Sequence, residues 1–244
     1  MPPPSQPRRR PRAIFLDAAG TLFQVNQPVG QAYARVGAQH GVAADPGQLD
    51  AAFKAAWRGL PPPLHPEDRP PPDDDRSWWR EVVRQTFSRA TGHAMPPESF
   101  ESLFDDLYSH YGSSSAWRLH DEAKDAVREL SRHSRLLVVS NFDRRLRGIL
   151  EGLGIAGYFE RLIISSEVGA SKPHPRMFRA ALAACGLPAE ECLHVGDDQR
   201  ADAAGARAAG IESFHISRPG VTLKTLVEKL ASDDFPACIC GIPD

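Results

Sequence analysis

The chain has 244 residues, 41% apolar and 25% charged, and its 29 Lys and Arg against 31 Asp and Glu leave a formal net charge of −2. That length buries a substantial core, and so even a charge balance gives no global attraction to nucleic acid or to a membrane surface, so neither is expected as a partner. No apolar run approaches the roughly 18 residues of a spanning helix, and residues 1–12 hold prolines and arginines where a signal peptide would be apolar, so a cytoplasmic protein is expected.

Residues 1–12 have almost nothing to bury and are expected to form a disordered tail, with Arg8, Arg9, Arg10 and Arg12 solvated. Ala13-Ile14-Phe15-Leu16 then reads as a buried strand that delivers Asp17 into the turn Ala18-Ala19-Gly20-Thr21. Gly20 permits the sharp departure, which leaves the Asp17 carboxylate at the carboxyl edge of a sheet, where α/β folds bind ligands. A second carboxylate two positions on would complete an acid/base pair, but Ala19 stands there.

Residues 25–117 follow a helical pattern, with Ala32, Val36, Leu49, Phe53 and Trp57 among the apolar positions that recur at three- and four-residue spacings. Residues 59–75, with Pro61-Pro62-Pro63 and Pro70-Pro71-Pro72, cannot be helical throughout and read as an exposed loop. A helix restarts at Ser77-Trp78-Trp79, with Asp75 or Ser77 as its cap. Trp57, Arg58, Trp78, Trp79, Arg80 and Trp117 are candidates for substrate contact in this block, although aromatics at helical spacing are mostly packing.

Beyond residue 121 short apolar strands alternate with helices, at 136–140, 162–165, 192–196 and 211–216. With the first strand this makes an α/β protein with five parallel strands covered on both faces. The organisation read from the sequence is thus a tail at 1–12, a core from 13–24 and 118–232, a helical insert at 25–117 and a C-terminal tail at 233–244. Of Cys185, Cys192, Cys238 and Cys240, no two pairs have zinc-site spacing, so reduced thiols are expected and Cys238-Ile239-Cys240 is read as incidental.

Three of the later strands are followed by polar residues: Ser140-Asn141, then Ser171-Lys172-Pro173, then Gly196-Asp197-Asp198 with Asp202 on the entering helix. Taken singly these are ordinary turn and cap residues. Parallel strands bring their carboxyl ends to one edge, however, so all should converge on Asp17. Several carboxylates gathered there would repel one another, a conflict that a hard cation such as Mg²⁺ resolves. Lys172 and the Ser140 hydroxyl, with backbone N–H groups near Asn141, would then hold a phosphoryl anion. His194, inside the fourth of these strands, reads as a satisfied strand histidine rather than a base.

The order of these motifs resembles the haloacid dehalogenase-like (HAD) superfamily over nearly the whole chain after the arginine-rich start. Asp17-Ala18-Ala19-Gly20-Thr21 is similar to its first motif, Ser140 to the second, Lys172 to the third, and Gly196-Asp197-Asp198 through Asp202 to the fourth. The helical insert resembles the C1-type cap of subfamily I, and Trp78-Trp79 with Phe87 resembles the branch containing HAD-like hydrolase domain-containing protein 3. The resemblance implies a Rossmann-like core with the first strand central, Mg²⁺ as cofactor, and an aspartyl-phosphate formed on Asp17 with Lys172 assisting. It further implies metal ligation by Asp17, the Ala19 main-chain carbonyl and Asp197, with Asp198 and Asp202 behind them, and a small phosphorylated metabolite as substrate.

Most phosphatases of the superfamily carry Asp where this chain has Ala19, and losing a positioned acid/base costs about 10²–10⁴ in rate. Two other expectations therefore stand beside a weakened phosphatase. One is a catalytically impaired binding or scaffold protein. The other is phosphonoacetaldehyde hydrolase-like carbon–phosphorus cleavage, whose enzymes also have Ala there and use a cap lysine; Lys54 is the only lysine of this insert. The 2-haloacid dehalogenases dispense with the metal, and the acidic set at 197–202 argues against that chemistry.

Overall fold

In the computed structural model, which describes residues 10–63 and 69–232, the chain runs β1 (Ala13–Leu16), β2 (Phe23–Val25), α1 (Val29–Gln39), α2 (Pro46–Gly59), α3 (Arg76–Thr91), α4 (Pro97–Gly112) and β3 (Trp117–Leu119). It continues through α5 (Ala123–Leu130), β4 (Arg135–Ser140), α6 (Arg145–Gly152), β5 (Arg161–Ile164), α7 (Ser165–Val168) and α8 (Pro175–Cys185). The last elements are β6 (Cys192–Gly196), a π-helical turn at Gln199–Ala204, α9 (Gly205–Ala208), β7 (Glu212–His215) and α10 (Leu223–Ala231). Residues 1–9 of the expected N-terminal tail, and the Cys238-Ile239-Cys240 tail, lie outside the described residues.

All four residues of β1 are buried, as a strand without a polar face requires. It occupies the centre of a five-stranded parallel sheet ordered β5-β4-β1-β6-β7. Alternate residues serve the two faces. Ile14, Leu16, Leu136, Val138 and Val195 pack with Val127, Ile149 and Leu226 from α5, α6 and α10. Phe15, Leu137 and Val139 pack instead with Met177, Phe178 and Ala181 of α8. Helices α1–α4 form a separate apolar cluster around Tyr33, Leu49, Phe87, Leu103 and Phe104. Among the described residues no helix is long and apolar enough to cross a membrane.

Three expectations are corrected. Pro11 and Arg12 are not tail: Pro11 is buried, the Arg12 N–H donates to the Glu191 carbonyl at 2.8 Å, and the Arg12 carbonyl accepts from Arg135 N–H at 2.9 Å. The hydrogen-bond pattern of the central strand thus reaches one residue beyond its apolar run.

The second correction concerns the entry to α3. Pro71 and Asp75 are buried, not exposed, because residues 69–75 lie against the core. Asp74 accepts hydrogen bonds from Arg144 N–H at 2.9 Å and from the Ser166 hydroxyl at 2.5 Å, and a Cβ on Gly169 would lie 2.4 Å from the Arg69 carbonyl carbon. Asp75 occupies the cap position of α3 in a left-handed conformation (φ 61°) without a capping bond; Asp73 caps instead, accepting from Ser77 N–H at 2.7 Å.

The third concerns the ends of the insert. Val25 and Trp117, the expected boundaries, are paired residues of a two-stranded antiparallel ribbon formed by β2 and β3. Strands of three residues are too short to show an alternating pattern.

Candidate active site

Asp17 leaves β1 with its N–H bonded to the Val195 carbonyl of β6 at 2.8 Å. The chain then folds back tightly: the Ala18 carbonyl accepts from Leu22 N–H at 2.8 Å, and Gly20 takes φ 94°. A side chain on Gly20 would put its Cβ 2.4 Å from Asp197 Oδ2, so both the backbone and the neighbouring carboxylate require glycine. Thr21 donates from Oγ1 to Asp197 Oδ1 at 3.1 Å, which ties the fourth motif to the first. Arg218 braces the turn, donating to the Gly20 carbonyl at 2.7 Å and the Thr21 carbonyl at 2.9 Å while pairing with Glu122 at 2.9 Å. His120 Nε2 donates to the same Gly20 carbonyl at 3.2 Å.

Around Asp17 the structure gathers the side chains of Ser140, Lys172, Asp197 and Asp202. Ser140 Oγ donates to Asp17 Oδ1 at 3.0 Å, and Lys172 Nζ donates to Asp17 Oδ1 at 2.7 Å and to Asp202 Oδ1 at 2.6 Å. His194 Nε2 also donates to Asp202 Oδ1, at 2.8 Å. The strand histidine therefore has a carboxylate partner on one nitrogen, while its buried Nδ1 lacks one. Asn141 clasps the backbone of Lys172, donating from Nδ2 to its carbonyl at 2.9 Å and accepting its N–H on Oδ1 at 2.6 Å. The Asn141 side-chain amide therefore positions the lysine loop.

Charge in this cluster is unbalanced, with one ammonium facing three carboxylates. Burial pushes Asp17 up to about 6, Lys172 pulls it back, and Asp202 and Asp197 add to the rise. Burial likewise raises Asp197. Asp202 is also buried, but Lys172 and the His194 hydrogen bond outweigh that and hold its carboxyl below the usual range. Burial alone would lower the Lys172 ammonium; the two carboxylates outweigh it and keep it above the ordinary lysine value. Burial lowers the His194 imidazole below the usual histidine range, although its hydrogen bond to Asp202 works the other way.

One oxygen each from Asp17, Asp197 and Asp202 lie within 4.8 Å of one another. Three hard oxygen donors with excess negative charge fit a divalent cation such as Mg²⁺. This grouping differs from the expected one. Asp202, expected behind the ligands, stands in the cluster, whereas the exposed Asp198 spends its side chain on the following turn, Oδ1 accepting from Arg200 N–H at 2.8 Å and Ala201 N–H at 2.7 Å. Its own N–H donates to Asp202 Oδ2 at 3.1 Å. The wide π-helical turn that Asp198 caps is what carries Asp202 inward, and such turns recur at functional sites.

These groups form the floor of a cavity of about 580 Å³, with Ala19 beside Asp17 in its wall. The opposite wall is aromatic, built from Tyr33, Phe53, Trp57, Trp79, Tyr108 and Tyr111 of α1–α4. Of the residues nominated from the sequence, Trp57, Arg58, Trp79 and Trp117 line the cavity. Trp78 instead bonds the Pro61 carbonyl at 2.8 Å and Arg80 pairs with Glu101 of α4. Lys54 reaches the wall but pairs with Asp50 at 3.1 Å. Arg145 was missed: it pairs with Asp143 at 2.6 Å, lies 3.6 Å over the Tyr108 ring, and shares Asp143 with the Trp79 indole N–H at 3.1 Å. Its only sequence signal is its position five residues beyond the end of β4.

A family model for haloacid dehalogenase-like hydrolases matches residues 11–210. The chain is 34% identical over 209 residues to a human protein called haloacid dehalogenase-like hydrolase domain-containing protein 3, covering 85% of this chain and 82% of that one. It is 31% identical over 232 residues to the rhythmically expressed gene 2 protein of Drosophila melanogaster, covering 91% of this chain and 88% of that protein. Among solved structures it superposes on a HAD phosphatase from Thermococcus onnurineus with a TM-score of 0.62 at 20% identity, over 90% of this chain and 98% of the other. It also superposes on the L-2-haloacid dehalogenase of Xanthobacter autotrophicus with chloropropionic acid covalently bound, TM-score 0.61 at 18% identity, over 90% and 82% of the two chains. Those two structures share the fold and bear names for different chemistries, so the choice of reaction rests on the site itself.

Proposed function

From the premise that the chain belongs to the haloacid dehalogenase-like hydrolase family, we propose that it is a Mg²⁺-dependent phosphatase of small phosphorylated metabolites, working through Asp17. The observation that carries this reading is the Lys172 ammonium, 2.7 Å from Asp17 and with the Ser140 hydroxyl beside it on the cavity floor. A cation and a hydroxyl donor placed at a carboxylate nucleophile suit an incoming phosphoryl group. Three clustered carboxylates give a metal-dependent reaction more support than the metal-free displacement of halide.

Asp17 Oδ1 accepts from both Ser140 and Lys172, which fixes the carboxylate and leaves Oδ2 without a protein donor among the described residues. Attack on phosphorus would form the aspartyl-phosphate while Lys172 and Ser140 hold the equatorial oxygens. Asp202, with His194 behind it, keeps Lys172 in place. Asp17, Asp197, Asp202 and the Ala19 carbonyl would hold Mg²⁺, which supplies electrostatic stabilisation of the transferring group. Helices α1–α4 would act as a cap of the C1 type, closing the site from above. Ala19 has no proton to give, so alkyl esters should turn over slowly.

Asp17→Asn tests the nucleophile: turnover of p-nitrophenyl phosphate should fall by at least about 10³-fold, as expected when a covalent nucleophile is removed. Intact activity would sink the assignment. Ala19 favours a second reading, a HAD-fold binding or scaffold protein. A panel of phosphorylated metabolites assayed with Mg²⁺ separates the two, because turnover abolished by EDTA excludes a scaffold without chemistry.

A further inference from the structure

Building on the phosphatase reading, we infer that the substrate is an aryl phosphate monoester, its ring lodged in the aromatic wall of α1–α3 and its oxygen expelled as a phenolate without protonation by the protein. Two independent features of the cavity point to this class: the methyl group at position 19, where the floor would otherwise carry an acid, and a wall made mostly of ring faces.

The side chain at position 19 is a methyl group. The lysines of the cavity and Arg145 are already engaged. Lys172 is committed to Asp17 and Asp202, Lys54 to Asp50, and Arg145 to Asp143, while guanidinium groups do not give up protons. Tyr33, Tyr108 and Tyr111 are all pushed by burial above the ordinary phenol range, and the Tyr111 hydroxyl is enclosed by protein.

The wall is a continuous run of rings. Tyr33 meets Phe53 at 5.8 Å between centroids, Phe53 meets Trp57 at 6.0 Å, and Trp57 meets Trp79 at 5.3 Å. Offset and edge contacts at such spacings accept a further ring readily. Lys54 and Arg145 of the wall are already paired, which leaves a sugar only Arg58 and the tyrosine hydroxyls among surfaces that are otherwise ring faces.

In the reaction the Asp17 carboxylate oxygen forms a bond to phosphorus as the phosphorus–aryl oxygen bond breaks, and that bond pair leaves on the aryl oxygen. Phenols ionise near a pKa of about 10, far below alcohols, so the phenolate departs unaided and takes its proton from solvent afterwards. Water then cleaves the aspartyl-phosphate, releasing inorganic phosphate and restoring the carboxylate, with the displaced proton passing to solvent.

The test compares kcat/KM for 1-naphthyl phosphate, benzyl phosphate, acetyl phosphate and glycerol 3-phosphate in the presence of Mg²⁺. Benzyl phosphate keeps a ring but leaves as an alkoxide, so it should lie about 10²–10⁴ below naphthyl phosphate, the range of a missing acid. Acetyl phosphate leaves even more easily but has no ring, so it reports the chemical step without the wall. Trp57→Ala should lower the naphthyl-to-acetyl ratio by about 3–10-fold. In Asp17→Asn, titration of tryptophan fluorescence should show phenylphosphonate binding more tightly than methylphosphonate.

Benzyl phosphate matching naphthyl phosphate would reveal a hidden proton donor and overturn the inference. An unchanged naphthyl-to-acetyl ratio in Trp57→Ala, or equal binding of the two phosphonates, would overturn it by showing that the wall does not select rings; phosphatase activity itself would survive either result. If none of the esters turns over, the phosphatase reading fails and takes this one with it.

Discussion

At the edge of the sheet, Asp17, Ser140, Lys172, Asp202 and His194 are joined by buried hydrogen bonds of 2.6–3.0 Å, and the carboxylates outnumber the ammonium. Across the cavity, α1–α4 present rings, and their Lys54 is already neutralised within its own helix by Asp50. The floor manages charge, whereas the wall supplies shape and apolar surface. A substitution in the floor should therefore disturb chemistry and stability together, and one in the wall should mainly change which molecule fits.

The sharpest way to break that contrast is Lys172→Met. Without the ammonium, Asp17 and Asp202 face each other uncompensated in a buried site. Turnover should fall by about 10²–10³, the cost of losing a donor aimed at developing charge. Urea unfolding without Mg²⁺ should show a loss of about 3–5 kcal/mol, as for other broken buried ion pairs. A loss under about 1 kcal/mol would mean that the floor is not held by charge.

Ala19→Asp sharpens the comparison from the other side by giving the floor the acid it lacks. Turnover of alkyl phosphates should rise by roughly 10–10³-fold, within the range of general acid/base catalysis, with a much smaller change for aryl esters. An unchanged ratio of alkyl to aryl rates would show that protonation does not limit the reaction.

Where the helical insert meets the core, burial pushes the Asp75 carboxyl up to about 7, and Asp143, Asp74 and Asp73 reinforce the rise. The unfolded chain releases this proton near pH 4, so between about pH 4 and 7 the folded state holds more protons and loses stability as pH rises. Asp75→Asn, which suits the left-handed backbone, should remove that loss. Its stabilisation relative to the parent, on the order of a few kcal/mol, should be present at pH 8 and absent at pH 4. Equal effects at both values would show that the carboxyl is not held neutral at this junction. The smallest change is expected for Lys54→Ala, within about 0.5 kcal/mol, because an exposed pair four residues apart on one helix contributes little.

Much of the floor is legible in the sequence because β1, β4 and β6 are short apolar runs that deliver a polar residue at or just past their ends, while Lys172 follows β5 across the single turn of α7. Asp17, Ser140, Lys172 and Asp197 stand out for that reason, and the topology leaves them one common edge. Asp202 is harder to place: the width of the turn at 199–204 decides whether it or Asp198 points inward, and nothing local distinguishes the two. The β2–β3 ribbon is hidden by its length. Burial of Asp75, and the transfer of capping to Asp73, depend on residues 69–75 packing against α7 and the start of α6, contacts that lie about 70–90 residues away. Arg145 looks like any solvated arginine until Asp143, Trp79 and Tyr108 surround it.

The sequence by itself determined the parallel sheet, the order in which acid, hydroxyl, lysine and acid reach its edge, and the methyl group at position 19, because these follow from strand periodicity and residue identity. The tertiary structure alone decided which carboxylates share one cluster, that Asn141 holds the lysine loop, and that the rings of α1–α3 line the same cavity as Asp17. Those outcomes depend on packing between segments far apart in the chain, where burial and charge set each side chain's role.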